Sequence, residues 1–203
     1  MQEMIRNRVR ELLAENVGDR VLGWEAGENF DDRTPAVFDK DHLDELKYDS
    51  FCAGNLSKYL IAESAKEGKI IMLVKPCDSY SLNQLLTEHR VNRGKVYALG
   101  VGCRGKLDLN RIRAMGVTGI LSVEEQGSDL LVHTMYGDRT VARADALQTK
   151  CLSCKGKEHR GVDETIGDSE ETTAVERFGM VEKLEAMSPD EAPVVITQNE
   201  FMR

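Results

Sequence analysis

Four of the five cysteines of this chain follow one pattern. Cys77 and Cys103 each come directly after an apolar run that predicts a buried strand, whereas Cys151 and Cys154 form a close pair in a segment that predicts a loop. The carboxyl ends of parallel strands meet at one edge of a sheet, where ligands usually bind. The pattern therefore predicts four thiolates close together at that edge, which is the ligand set of an iron–sulfur cluster.

Two other chemistries are open to the same residues. Four cysteines bind zinc tetrahedrally, and His159 is able to replace one of them, while a pair with this spacing also serves dithiol redox chemistry. Structural zinc usually takes two close pairs, whereas Cys77 and Cys103 stand alone. A redox pair usually opens a helix, whereas residues 155–157, after the pair, are a poor helix start. The spacing favours a cluster and leaves both alternatives open.

The segment around the fifth cysteine, Cys52, predicts a second kind of site. Cys52 lies among small residues at the start of a predicted helix, which favours a structural thiol or a cofactor loop over a fifth ligand. Gly54 and Asn55 precede that helix, whose N-terminus offers unpaired N–H groups to a phosphate. Lys58 and Lys75 add positive charge nearby. We therefore predict that Gly54, Asn55, Lys58 and Lys75 contact a flavin or another phosphate-bearing cofactor.

A strand–helix–strand unit must position these residues. Continuous apolar runs predict buried strands at 69–75 and 95–101, with a helix between them that Asp78 or Ser79 caps and that ends near His89. Such a unit makes the two strands parallel with a right-handed crossover. The predicted fold is α/β, with a partly parallel sheet, flanking helices and a cysteine-bearing loop region at the carboxyl edge of the strands.

The rest of the chain predicts shorter elements on either side of this unit. Helices are predicted at 4–16, 56–66, 109–115 and 175–187, strands at 21–24, 36–38, 119–123, 129–135 and 139–142, and a polar loop at 155–173. We predict a single domain over residues 1–187. Residues 188–203 then form a C-terminal extension with little core of its own.

Composition argues against several classes of function. A net charge of -8 and an aromatic content of 5% disfavour binding to nucleic acid or to an anionic membrane surface. The longest apolar run, residues 70–74, is too short to span a bilayer, and the N-terminus has no apolar signal-peptide core. We expect a cytoplasmic protein, in a reducing compartment where cysteine pairs are more often metal ligands or redox groups than disulfides.

Four motifs in a fixed order carry a resemblance to a known family. They are Val74-Lys75-Pro76-Cys77-Asp78-Ser79, Leu99-Gly100-Val101-Gly102-Cys103-Arg104-Gly105, Cys151-Leu152-Ser153-Cys154 and Asp163-Glu164-Thr165-Ile166-Gly167-Asp168. The chain resembles, from about Phe51 to Asp168, the beta subunits of the coenzyme F-420 (deazaflavin) hydrogenases and dehydrogenases, including the formate dehydrogenase beta subunit. The resemblance is specific in the order and context of the cysteines.

This resemblance implies a 4Fe–4S cluster next to FAD, between which the domain passes electrons. By position, the cluster ligands are Cys77, Cys103, Cys151 and Cys154, and residues 51–57 take the place of the flavin loop. The implied function is an electron-transfer subunit of a cytoplasmic, anaerobic oxidoreductase complex. The alternatives are a zinc-stabilised binding or scaffold module, or a dithiol reductase that uses the Cys151 and Cys154 pair.

The resemblance also implies partners. They are other redox subunits of hydrogenase, formate dehydrogenase, heterodisulfide reductase or ferredoxin type, with no nucleic acid and no membrane span. Longer relatives carry a C-terminal ferredoxin segment with two cysteine-rich motifs, and none occurs before Arg203. We expect that module either on a separate subunit or beyond this sequence, with residues 188–203 leading toward it or toward a partner.

Overall fold

The computed structural model describes residues 1–152, 154, 158–169 and 178–191. The helices, in chain order, are α1 (Gln2–Ala14), α2 (Ser57–Ala65), α3 (Pro76–Thr87), α4 (Leu109–Ala114), α5 (Thr149–Leu152) and α6 (Gly179–Glu185). The strands are β1 (Arg20–Ala26), β2 (Arg33–Phe38), β3 (Ile70–Val74), β4 (Val96–Val101), β5 (Ile120–Gln126), β6 (Asp129–Thr134), β7 (Arg139–Ala142) and β8 (Glu164–Ile166). The chain forms two compact units, residues 1–172 and 173–203.

The first unit is built on a five-stranded sheet with the order β2-β1-β3-β4-β8. Only β1 and β2 are antiparallel, and every other neighbouring pair is parallel. Strands β3 and β4 are in register along their length, from the pair Ile70 and Val96 to the pair Val74 and Gly100. All five residues of β3 are buried, as expected for a central parallel strand. The predicted α/β fold with a partly parallel sheet is confirmed.

A single hydrophobic core lies against this sheet. Helix α1 contributes Ile5, Val9 and Leu12, which recur at helical spacing and are all buried. The central strands β3 and β4 bury their apolar residues in the same core, together with Trp24 of β1 and Leu60 of α2. This core fixes the strands whose carboxyl ends carry the cysteines.

A second, antiparallel sheet is inserted between β4 and β8. It has the order β5-β6-β7 and its own core, to which Leu107, Ile112, Leu130 and Val132 contribute. The two ends of the insertion meet in an isolated antiparallel bridge between Leu107 and Leu147. The chain therefore returns to the place where it left the main sheet.

One local prediction is wrong near the sheet edge. Helix α3 begins at Pro76, with Lys75 as its N-cap, rather than at Asp78 or Ser79. Proline suits the first helical turn because its fixed φ is helical and its missing N–H is not needed there. Asp78 instead lies within the first turn.

The predictions for the segment after β7 also need correction. Cys151 belongs to the short helix α5 and not to a loop. The polar loop predicted at 155–173 contains β8, which pairs in parallel with β4. A three-residue strand gives no apolar run long enough to recognise. Ser153, residues 155–157 and residues 170–174 lie outside the described residues.

The second unit contains α6 within its described residues. Residues 175–177 of the helix predicted at 175–187, and residues 192–203 of the predicted C-terminal extension, lie outside the described part. The division into a domain over 1–187 and an extension over 188–203 stays a prediction. Within the described ranges, no helix has both the length and the apolar character needed to cross a membrane.

Candidate cofactor site at the sheet edge

Cys77 and Cys103 leave the sheet at the same edge. Cys77 is the second residue of α3, directly after β3, and Cys103 lies two residues beyond β4. Because Val74 and Gly100 are paired at the ends of these strands, the two cysteines start from the same level of the sheet. Cys77 is exposed and Cys103 is half-buried. The structure therefore places Cys77 and Cys103 at the carboxyl edge of the sheet, as the sequence predicts.

Cys151 comes to the same edge from the far side of the insertion. It is buried, and the backbone N–H of Lys106 donates a hydrogen bond to its Sγ atom at 3.3 Å. Gly105 lies against it, because a Cβ atom added at Gly105 would be 3.6 Å from the Cβ of Cys151. The loop that carries Cys103 and the helix that carries Cys151 are thus in contact.

Cys154 acts electrostatically on two of the other predicted ligands, Cys77 and Cys151. The pKa of the Cys77 thiol is raised to about 12, mainly by burial. Part of the residue's surface is exposed, but protein atoms surround most of the sulfur. Negative charge on Cys103 and Cys154 raises this pKa further. Burial also raises the pKa of Cys151, and the same two thiols act on it in the same direction. Cys103 and Cys154 therefore each lie within electrostatic reach of both Cys77 and Cys151.

All four predicted ligands offer a sulfur atom to a metal. In the described part of the chain, no three His, Cys, Asp or Glu side chains are placed to hold a single metal ion. A 4Fe–4S cluster is held by four cysteine thiolates. Four thiols with a backbone N–H donor fit such a cluster in their chemistry.

Lys75 holds the loop that precedes α2. Its Nζ atom donates hydrogen bonds to the carbonyl oxygens of Cys52, at 3.1 Å, and Gly54, at 2.6 Å. It also pairs with Asp78 Oδ2 at 3.0 Å and lies 4.3 Å from the centre of the Trp24 ring. Two N–H groups of the ammonium are thus hydrogen-bonded to loop carbonyl oxygens, and its charge is paired with the Asp78 carboxylate. Lys75 thus anchors the loop to the sheet edge, and its predicted contact with a cofactor stays a prediction.

Gly54 and Asn55 are exposed in the same loop, and Lys58 is exposed in the first turn of α2. The Asn55 side chain donates to Ser81 Oγ and accepts from the backbone N–H of Ser57, both at 2.8 Å, so it fixes the start of α2. Lys58 is exposed, with Nζ 4.9 Å from the centre of the Tyr59 ring. These residues are near one another as predicted, and their role in binding a cofactor stays a prediction.

Trp24 and Gly54 mark the floor of this loop. The indole Nε1 of Trp24 is buried and has no hydrogen-bond partner within the described structure. A Cβ atom added at Gly54 would lie 3.7 Å from that nitrogen, with nothing else within 4 Å. The glycine therefore leaves a small cradle above the indole ring.

Sequence reasoning missed two buried residues of this site. The Tyr48 hydroxyl donates to the carbonyl oxygen of Gly102 at 2.7 Å. Lys106 is buried, and its Nζ atom donates to the carbonyl oxygen of Asp49 at 2.8 Å. Nothing in the local sequence distinguishes these residues from surface ones. Cys52 is buried as well, and burial raises its pKa to about 11.

No family model matches the chain. Curated relatives match part of the chain. One is the F420-dependent formate dehydrogenase subunit beta of Methanocaldococcus jannaschii, which is 30% identical over 97 residues. These residues are 47% of this chain and 26% of the relative. The F420-dependent formate dehydrogenase 1 subunit beta of Methanococcus maripaludis is 30% identical over 95 residues, 46% of this chain and 24% of the relative. The chain thus spans about a quarter of the length of these relatives. The resemblance seen in the cysteine motifs is confirmed.

A solved structure shares this fold. A chain of the F420-reducing NiFe hydrogenase complex from Methanosarcina barkeri superposes with a TM-score of 0.59 at 15% sequence identity, covering 74% of this chain and 58% of that chain. At this identity the likeness shows the fold, and it agrees with the α/β architecture described above.

Proposed function

Because this chain resembles the beta subunits of F420-dependent formate dehydrogenases, we propose that it is a subunit of an oxidoreductase complex that uses the deazaflavin F420. Within that complex it transfers electrons through a 4Fe–4S cluster held by Cys77, Cys103, Cys151 and Cys154, with FAD at the loop of residues 51–57. The observation that supports the proposal is that Cys77 and Cys103 follow the paired ends of β3 and β4, with Cys151 packed against residues 105 and 106 beside Cys103.

The chain contributes ligation, hydrogen bonding and burial. When bound, a cluster supplies one-electron transfer and a flavin links it to hydride chemistry. The N–H of Lys106 donates to Cys151 Sγ, and N–H···S hydrogen bonds of this kind tune the potential of a cluster. The N–H of Cys103 donates to Ser169 Oγ at 3.2 Å, which fixes the backbone at this ligand.

The flavin side of the proposal is supported by the start of α2. Its first N–H groups and positive dipole end favour a phosphate, and Asn55 holds that turn in place. Lys75 fixes the loop carbonyls from below, so the exposed face at Gly54 is left to the ligand. The indole N–H of Trp24 offers a further donor beneath it.

The decisive experiment is anaerobic purification of the full chain, followed by assays for iron, acid-labile sulfide, zinc and FAD. We expect a brown protein with about four irons and four sulfides per chain. Stoichiometric zinc without iron would establish the scaffold alternative. A metal-free protein with a reversible disulfide between Cys151 and Cys154 would establish the dithiol reductase.

The partners follow from the same proposal. We propose other cytoplasmic redox subunits of an anaerobic complex as electron donors and acceptors, of hydrogenase, formate dehydrogenase, heterodisulfide reductase or ferredoxin type. Reduction of the cluster by reduced F420, with FAD present, tests the donor side directly. Reduction of the cluster by reduced ferredoxin but not by reduced F420 would mean that F420 is not the electron donor to this chain.

A further inference from the structure

Lys106 is a buried lysine in direct contact with the proposed ligand Cys151. The residue is 4% exposed, and its backbone N–H contacts Cys151 while its side chain runs toward Tyr48 and Asp49. The Nζ atom donates to the carbonyl oxygen of Asp49 at 2.8 Å and lies 4.1 Å from the centre of the Tyr48 ring. Lys106 therefore reaches from the ligand loop into the core of the first unit.

Among the described residues, no carboxylate forms an ion pair with the ammonium group of Lys106. By contrast, the second buried lysine of the site, Lys75, pairs with Asp78. The carboxylate of Asp49, which acts on Lys106 electrostatically, is already held by Arg33 at 2.6 Å. Burying an unpaired ammonium group is costly, so a negative charge is expected close by.

Geometry places the ammonium group on the side of Cys103: Nζ lies over the ring of Tyr48, whose hydroxyl donates to the carbonyl oxygen of Gly102, directly before Cys103. Burial lowers the pKa of Lys106, and Lys75 acts in the same direction. Negative charge on Cys103, and to a smaller extent on Cys52 and Asp49, opposes this. Of these groups, Cys103 is a proposed ligand, so its thiolate form is the one that a bound cluster would make permanent.

We infer that Lys106 is the buried counter-charge of the proposed cluster and that it sets the cluster's reduction potential. The inference rests on the proposed function. Reduction adds negative charge at the thiolate-bound cluster, and a fixed ammonium group in a low-dielectric surrounding favours that added charge. The backbone of Lys106 acts in the same sense, through the hydrogen bond to Cys151 Sγ.

The test is an anaerobic redox titration of the full chain, followed by the EPR signal of the reduced cluster. Lys106→Gln and Lys106→Met remove the charge, and Lys106→Arg keeps it. Lys150→Gln is the matched control, because Lys150 precedes Cys151 in α5 but is exposed, where solvent screens its charge. Iron and sulfide contents are measured for every variant.

We expect the neutral variants to be harder to reduce. Their equilibrium constant for reduction should fall about tenfold or more, which is about 59 mV for a one-electron couple. Lys106→Arg should stay near the parent value, and Lys150→Gln should shift much less than the neutral variants. Loss of the cluster in both neutral variants, with full retention in Lys106→Arg, would also support a required charge.

Two outcomes would overturn the inference. One is a fully loaded Lys106→Gln protein with the parent potential, and the other is an equal shift in Lys106→Gln and Lys150→Gln. Failure of the proposed function looks different, since the parent protein would then contain neither iron nor sulfide.

Discussion

The buried hydroxyl of Tyr48 donates a hydrogen bond to the carbonyl oxygen of Gly102, 2.7 Å away. The N–H of Gly102 donates in turn to the carbonyl oxygen of Ile166 in β8, at 2.8 Å. Gly102 is thus held from two sides, directly before the proposed ligand Cys103. The position of this ligand depends on a side chain more than fifty residues earlier in the chain.

Tyr48→Phe tests that dependence. The variant leaves the carbonyl oxygen of Gly102 without its buried donor, so the free energy of unfolding should fall by about 1–3 kcal/mol. Urea unfolding followed by circular dichroism measures it. Tyr136→Phe is the control, because Tyr136 is 73% exposed, and it should change stability by less than about 0.5 kcal/mol. Equal effects of the two variants would contradict the role given to Tyr48.

Gly102→Ala should destabilise the same edge of the sheet, because the added methyl group has no room there. A Cβ atom at Gly102 would lie 2.5 Å from the backbone oxygen of Asp168, and backbone is unable to yield as a flexible side chain does. We expect a loss of about 1–3 kcal/mol in the free energy of unfolding, as in other overpacked sites. Gly54→Ala, where the nearest atom is 3.7 Å away, should have a much smaller effect in the same urea experiment.

Replacing the proposed ligands should remove iron selectively. Cys77→Ser and Cys154→Ser should lose most of the iron or leave a labile cluster, because serine is a poor ligand for a soft metal site. Cys52→Ser should keep its iron, since Cys52 is buried in the core of the first unit. Iron and sulfide assays on anaerobically prepared protein decide this. A similar loss in all three variants would mean that the ligand set is wrong.

The flavin is tested at Gly54. With its native partners present, the parent protein should bind FAD and quench its fluorescence. Gly54→Val should abolish this binding, because the added side chain fills the space above the indole nitrogen of Trp24. Iron content should stay at the parent level, which separates the flavin from the cluster. Absence of FAD binding in the iron-loaded parent would assign the flavin to another subunit.

The pairing of Arg8 with Glu164 predicts a pH dependence of stability. Two hydrogen bonds join them, Arg8 Nε to Oε1 at 2.8 Å and Nη2 to Oε2 at 3.0 Å, so α1 is tied to β8. The hydrogen bond from Arg8 is the main cause that holds the pKa of Glu164 below its ordinary value. The stabilisation is therefore present above the unfolded-state pKa and is lost as the pH falls toward the lowered one.

Glu164→Gln should accordingly cost about 1 kcal/mol or less at pH 7, and the difference from the parent should shrink at pH 4. Urea unfolding at both pH values measures it. Glu11→Gln removes the more exposed partner of the same arginine and should matter less. A cost that grows as the pH falls would contradict the assigned direction.

The parts of the fold that the sequence predicts well are those with strong local patterns. The runs that form β3 and β4 are continuous and apolar, and Ile5, Val9 and Leu12 recur at helical spacing, so these elements follow from local rules. Strand β8 is different. It has three residues and exists because β4 offers a free edge, which no local pattern reports.

Within the site, the cysteines and the lysines differ in the same way. Cys77 and Cys103 could be placed because their position depends only on where two strands end. No local pattern predicts the side-chain burial of Lys75 and Lys106, yet both are almost completely buried. Their burial depends on carbonyl oxygens at 49, 52 and 54, which only the folded chain brings to them.

The bridge between Leu107 and Leu147 has a consequence for how chains of this kind can diverge. It pins both ends of the antiparallel sheet beside the cysteines, with further backbone hydrogen bonds from Asp108 to Ala146 and from Gln148 to Lys106, each 2.8 Å long. The distance between Cys103 and Cys151 is thus set at this base and not by the length of the chain between them. Evolution can lengthen, shorten or exchange the excursion while the spacing of the sulfurs stays the same.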